Sequence, residues 1–326
     1  MAPSFDEKHL NLLVGLYIQA AEQLASLLEE MNFSQGSRQH TIYAQVLRIL
    51  RELRTVTSQW GATAIDEFFR RADKREVTRI AKLISDRELK AEFTQIHEGA
   101  VDALVRGMLN DVDKAFTSIS VQAQRILRGS RTESAVDAEM RRQTALGLAA
   151  GESREGIRRR IGQTLRKQYR DGIVAITGSN GRTYRYSLDY YASLVGHQTQ
   201  RQAMTLAVLM RAQENGFDLV RVSPNPSTVG DYCDAYRGRV FSISGSDARF
   251  PPLALTPNGG PPFHPWCKHS IHTFVPELYD DEAVEEFSDV NPDFLLKPGE
   301  QNHKRILKMW MEAKEDNPDL GSLSHI

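Results

Sequence analysis

Cysteine is nearly absent from this chain of 326 residues, which holds two, Cys233 and Cys267, both in its last third. Two cysteines are too few for a disulfide framework, and in a reducing compartment a close pair more often binds metal or stays reduced. An excess of either charge is also missing. Forty-one Lys and Arg against 42 Asp and Glu leave a formal net charge of −1, so nothing global resembles a nucleic-acid coat or a polybasic membrane binder. No apolar run approaches the ~20 residues that span a bilayer. The opening MAPSFDEKHL lacks the basic and then apolar order of a signal peptide, so synthesis in the cytoplasm without a membrane anchor is expected. Proline is almost absent from the first 130 or so residues, and internal repeats and low-complexity segments are absent throughout.

At roughly 150 residues per domain, the length allows about two domains. The first 130 residues are helical in pattern. From Leu10 the apolar positions Leu13, Val14, Tyr17, Ala20, Ala21, Leu24, Leu27, Leu28 and Met31 keep the three-and-four spacing that lays one stripe along a helix. NFSQGS interrupts it. A second helix is expected from about Ile42 to Trp60 through Val46, Ile49, Leu50, Leu53 and Val56, and further helices over 65–84, 88–109 and 112–127. The region 1–130 therefore reads as a helical bundle or array, a scaffold or interaction surface. His9, His40 and His97 have no second ligand at i, i+4, and read as surface or capped-helix histidines.

The texture changes over 131–171, a basic helical linker. Arg154, Arg158, Arg159, Arg160, Arg166, Lys167 and Arg170 crowd one stretch. Such a cluster is either a solvated helix face or a contact for phosphates or an acidic partner, since Arg presents fork-shaped donors to both. After Gly172 the period switches to strands. GIVAIT and TYRYSL flank GSNGR, and Asn-Gly between short runs of β-formers signals a hairpin. A helix capped by Ser187 or Asp189 and stopped by Asn215-Gly216 follows, then strands in DLVRVS, GRVFSIS and HSIHTFVP. The fold class is thus α+β: a mainly helical N-terminal region followed by a small α+β module over 172–278 with a Cys/His loop. An acidic tail with a short terminal helix over 279–326 completes the chain, either solvated or docked on a basic surface.

Chemistry concentrates in PPFHPWCKHSIH, residues 261–272. With Cys233, thirty-one positions upstream of His264, this stretch offers Cys233, His264, Cys267 and His269 as a tetrahedral zinc set, and His272 in reserve. Zinc there would close a long loop whose 245–262 stretch is rich in Pro, Gly, Ser and Asn. The spacing equally admits a stiff loop with two reduced thiols, a Cys233–Cys267 disulfide, or a nucleophilic Cys267. The last would use His264 or His269 as base and Asp231 or Asp234 as orienter. No paired-acid pattern stands beside the histidines for metal-dependent nuclease chemistry.

GRTYRYSLDYYASLV, ENGFDLVRVS, DYCDAYRGRVFSISG and PPFHPWCKHSIHTFVP follow one another over 181–277. In this order they resemble the minor capsid or head-morphogenesis proteins of tailed bacteriophages, the Mu F-like and minor capsid protein 2-like group. The resemblance carries the closing motif onto Pro262, His264, Pro265, Cys267, Lys268 and His269, and the earlier element onto Asp231, Cys233, Gly238 and Phe241. Trp266 stands where the family often has Asn, and Gln198-Thr199 where many members have an Arg-Thr pair. The resemblance implies a low-copy structural component of the phage head, made in the host cytoplasm. It would act in procapsid assembly near the portal, or in DNA packaging or retention, and touch portal, capsid or scaffold proteins. It implies no catalytic residues. The 154–170 arginines are candidates for contact with packaged DNA. A head-packaged effector or enzyme delivered with the DNA is the alternative, whose signature would be a separate catalytic domain.

Overall fold

The computed structural model describes residues 5–29, 36–84, 88–128, 163, 174–177, 181–224, 232–264 and 266–295. The basic linker from Arg154 to Arg170 and the terminal helix expected after residue 300 lie outside the described residues. The chain forms two compact units, each assembled from separate segments: Met1–Gly61 with Val105–Gly196, and Ala62–Leu104 with His197–Ile326.

Three long helices come first, α1 over Phe5–Glu29, α2 over Gly36–Leu83 and α3 over Gln95–Arg128. Two differ from expectation. The separate helices expected on either side of Trp60 are one 48-residue helix. A mid-helix Gly such as Gly61 costs roughly 1 kcal/mol, and the buried Trp60, Ala64, Ile65 and Phe68 around it outweigh that. Likewise α3 begins only at Gln95 and runs through Asn110-Asp111 without a break.

In the first unit the apolar stripe of α1 is buried as its spacing requires: Leu10, Leu13, Tyr17 and Leu24 lie inside with Val46, Leu50, Leu53, Val112, Phe116 and Ile119. Two polar side chains of this core are paired. The Thr57 hydroxyl donates to Tyr17 Oη at 3.1 Å, and Trp60 Nε1 donates to the His9 carbonyl at 2.8 Å. Burial pushes the Tyr17 phenol well above its usual range. The hairpin is β1 (Val174–Thr177) against β2 (Thr183–Tyr186), antiparallel, with Val174 opposite Tyr186. Helix α4, Leu188–Glu214, begins in this unit. Gly196 sits so close to its neighbours that an added Cβ would lie 2.9 Å from Leu10 Cδ2 and 3.1 Å from Leu13 Cδ2.

The second unit is built on a three-stranded antiparallel sheet in the order β4-β3-β5, formed by Val240–Ser242, Leu219–Val222 and Ile271–Thr273. Register pairs Val220 with Phe241 on one side and with Thr273 on the other. Gly216, at φ +79°, ends α4 in the left-handed turn that favours glycine. Phe241, Phe263, Leu253, Leu255, Val220 and Val222 form the main core. Short helices α5 (Asp281–Ser288) and α6 (Pro292–Leu295) follow. Asp280 caps α5 by accepting from Ala283 N at 2.8 Å, so the start of the expected acidic tail is ordered helix.

Charged side chains are also buried in this unit, Arg211 with Asp73 and Glu76. Arg211 of α4 is completely buried. Its Nε donates to Asp73 Oδ1 at 2.7 Å, its Nη1 to the Lys90 carbonyl at 2.8 Å and to Glu214 Oε2 at 2.9 Å, and its Nη2 to the Glu92 carbonyl at 3.2 Å. One guanidinium thus ties the 88–94 stretch to α2 and α4. His97 is also buried completely rather than on the surface, although it does act at a helix start as expected. Its Nδ1 accepts from Thr94 N at 3.1 Å, the reach-back that Glu makes in a capping box. That bond leaves the Nε2 proton facing Glu214 Oε1 at 3.4 Å.

Candidate metal centre

Cys233 lies in the 3₁₀ turn Tyr232–Tyr236 just before β4, while His264 and Cys267 come from the loop that leads into β5. Aromatic packing sets the distance between these segments. Phe263 packs against Tyr236 with ring centroids 4.4 Å apart and planes tilted by 36°, and the Tyr236 hydroxyl donates to the Phe294 carbonyl at 2.5 Å. Asn258 Nδ2 donates to the Pro262 carbonyl at 2.5 Å. The Cys267 amide then closes a turn on the His264 carbonyl at 2.9 Å, which brings both side chains toward Cys233.

The outcome is a cluster in which the ligand atoms of Cys233, His264 and Cys267 all lie within 4.8 Å of one another. His264 Nε2 is 3.2 Å from Cys233 Sγ. His269 stands one step outside this trio, with its Nδ1 3.7 Å from Cys267 Sγ. Cys233, Cys267 and His269 are 0%, 3% and 1% exposed, and His264 is half-buried. The two thiols are not joined in a disulfide.

This donor set fits a metal ion. Two sulfurs and one or two imidazole nitrogens are the soft and borderline ligands that zinc takes. A sulfur about 2.3 Å and a nitrogen about 2.0 Å from one tetrahedral centre stand about 3.5 Å apart. The two S···N separations, 3.2 and 3.7 Å, bracket that edge. The group of Cys233, His264 and Cys267 could therefore hold a metal. In its absence the same contacts are thiol–imidazole hydrogen bonds.

The other positions singled out in the sequence have structural surroundings. Gly238 takes φ +73°, and its carbonyl accepts from Arg221 Nε at 2.9 Å, which holds Arg221 with its guanidinium 3.6 Å over the Phe287 ring. Phe241 and Pro262 are buried, Thr199 is buried, and Lys268 is exposed. Trp266, 42% exposed, packs against His197 at 5.0 Å between ring centroids. Burial and then the charge of Arg201 hold the His197 imidazole below its usual pKa. His272, the reserve ligand, lies in β5 opposite Arg221. Asp231 and Pro265 lie outside the described residues.

A helical protein with a compact antiparallel sheet and a buried Cys/His centre is the class these features define. A family model described as phage minor capsid protein 2 matches residues 28–293, and the chain belongs to that family. The match takes in most of the helical half as well as the stretch over 181–277 that carries the motifs. No curated protein and no solved structure matches the chain. Among the described residues, no helix is long and apolar enough to cross a membrane.

Proposed function

We propose that the protein is a low-copy structural component of the phage head, acting in procapsid assembly near the portal or in DNA packaging or retention. Its small α+β module is held by a structural zinc ion on Cys233, His264, Cys267 and His269. The family match over 28–293 carries the first part of this reading. The buried cluster of two thiols and an imidazole supports the second. His269, with Nδ1 3.7 Å from Cys267 Sγ, would move in as fourth ligand on metal binding, completing the tetrahedron and leaving no open position for an activated water. Both thiols are buried, which disfavours their use as solvent-facing nucleophiles and supports a structural role. The helical region is the part suited to contact portal, capsid or scaffold proteins, and the 154–170 arginines the part suited to packaged DNA.

Quantitative mass spectrometry of purified procapsids and mature heads tests this function. The chain should be present at low stoichiometry, and deleting its gene should reduce head assembly or DNA retention. Absence from both particles would contradict it.

A further inference from the structure

A cavity of about 210 Å³ lies in the same unit between α2, α4 and the start of β5. Three arginines line it, Arg75 and Arg79, one helical turn apart on α2, and Arg201 on α4, beside Glu76, Thr205, His269, Ser270 and His272. The one carboxylate among the lining residues, Glu76, is already committed. Its Oε1 accepts from the buried Thr273 amide at 2.9 Å, and its Oε2 lies 4.0 Å from Arg79 Nε. Three guanidiniums thus share a recess with a single, spent counter-charge.

We propose that this cleft binds a phosphate group. Two guanidiniums at i, i+4 on one helix repel each other, and a third across from them adds to a positive charge that a bound anion would offset. Each guanidinium offers a planar fork of donors suited to oxyanions. Three forks exceed what the two oxygens of a carboxylate accept, whereas a phosphate has enough oxygens and charge to engage them together. The floor of the recess is fixed in advance. Ile271 and His272 are held in the β3–β5 ladder, and Glu76 ties the next residue of that strand to α2. The Arg79 and Arg221 charges reach His272, which lines the cavity: burial first and then these two cations push its pKa down to about 4. The phosphate could belong to a polynucleotide backbone or be free in solution; the chemistry recognised is the same.

Calorimetric titration of the full-length protein with inorganic phosphate, with a short DNA duplex and with poly-glutamate tests this. Replacing Arg75 and Arg79 together by Gln should weaken phosphate or duplex binding about tenfold or more, the loss expected when charge-assisted hydrogen bonds are removed. Both side chains are exposed, so the variant should keep the wild-type thermal midpoint. Arg201→Lys, which keeps the charge and loses the fork, should bind with intermediate affinity. The triple change of Arg158, Arg159 and Arg160 to Gln separates any contribution of the basic linker, and should leave binding in the cleft intact. Duplex binding that inorganic phosphate competes away assigns the group to a nucleic-acid backbone; phosphate binding without duplex binding assigns it to free phosphate. His269 lines the cavity and touches Cys267, so metal content is measured in every variant to keep this site distinct from the proposed zinc. Failure of phosphate and duplex to bind, equal binding by the Arg75/Arg79 variant, or a preference for poly-glutamate would overturn the proposal.

Discussion

His264 Nε2 meets Cys233 Sγ at 3.2 Å although the two residues are 31 positions apart. Between them lies the loop rich in Pro, Gly and Ser, whose short 3₁₀ turns (Leu253–Leu255 and Pro257–Gly259) make few regular backbone bonds. The Cys–His contact closes that loop at its base, next to β4 on one side and β5 on the other. Whatever stabilises the contact therefore stabilises the loop and the sheet edge together.

Arg211 should be the most sensitive charged residue in its unit. Replacing it by Met leaves Asp73 buried without its partner and frees the Lys90 and Glu92 carbonyls, which breaks a buried ion pair from one side at a cost of about 3–5 kcal/mol. Arg54→Ala, which removes an exposed pair with Asp113, should cost less than about 1 kcal/mol. Urea unfolding of the two variants compares them directly. Equal midpoints would show that the Arg211 network contributes nothing beyond a surface pair.

Acid should destabilise the sheet through His272. Its folded pKa is lowered to about 4, by burial first and then by the Arg79 and Arg221 charges, against about 6.5 in the unfolded chain. Its contribution is complete above about pH 6.5 and is lost as pH falls toward 4, because the unfolded chain takes up a proton that the folded chain refuses. Each unit of the difference corresponds to about 1.4 kcal/mol. Urea midpoints measured at about pH 7 and about pH 5 should therefore differ more for the wild type than for His272→Gln. The same pH dependence in both proteins would remove His272 as the cause.

Gly196 tests the packing of the helical unit. An alanine there gains up to about 1 kcal/mol of helix propensity, and its Cβ presses only on the terminal carbons of Leu10 and Leu13, so Gly196→Ala should be nearly neutral. Gly196→Val adds branches that the leucines cannot avoid, and should cost about 1–3 kcal/mol. Thermal denaturation reads both, and a neutral Val variant would show that α1 does not pack tightly at this point.

Much of the module was legible in the sequence because its signals are local. Short β-rich runs mark the five described strands, the α4 boundaries follow from Ser187 and Asn215-Gly216, and Cys267 among three histidines marks the buried cluster, to which Cys233 comes from 31 positions upstream of His264. Signals that depend on distant partners were not legible. Gly61 reads as a helix break until the burial of Trp60 and Ile65 is known. The burial of Arg211 is hard to see in the sequence because its partner Asp73 lies 138 positions away; its place among Ala207, Val208 and Ala212 on the apolar face of α4 was the available clue. The same holds for His97, whose capping role is local but whose burial against Phe69 and Phe93 is not. Arg75, Arg79 and Arg201 are separate in sequence, and only the fold joins them in one cleft.

Metal content of the purified full-length protein, measured with Cys267→Ser alongside, tests the proposed centre most directly. One zinc ion per wild-type chain is expected, with none in the variant. Chelator treatment or the substitution should make the 232–275 region protease-sensitive while the helices of the first unit stay folded, since metal-binding energy is folding energy for such a module. A wild-type protein that carries no metal and keeps its stability in chelator would contradict the zinc centre and reduce the cluster to a stiff loop of buried thiols and imidazoles.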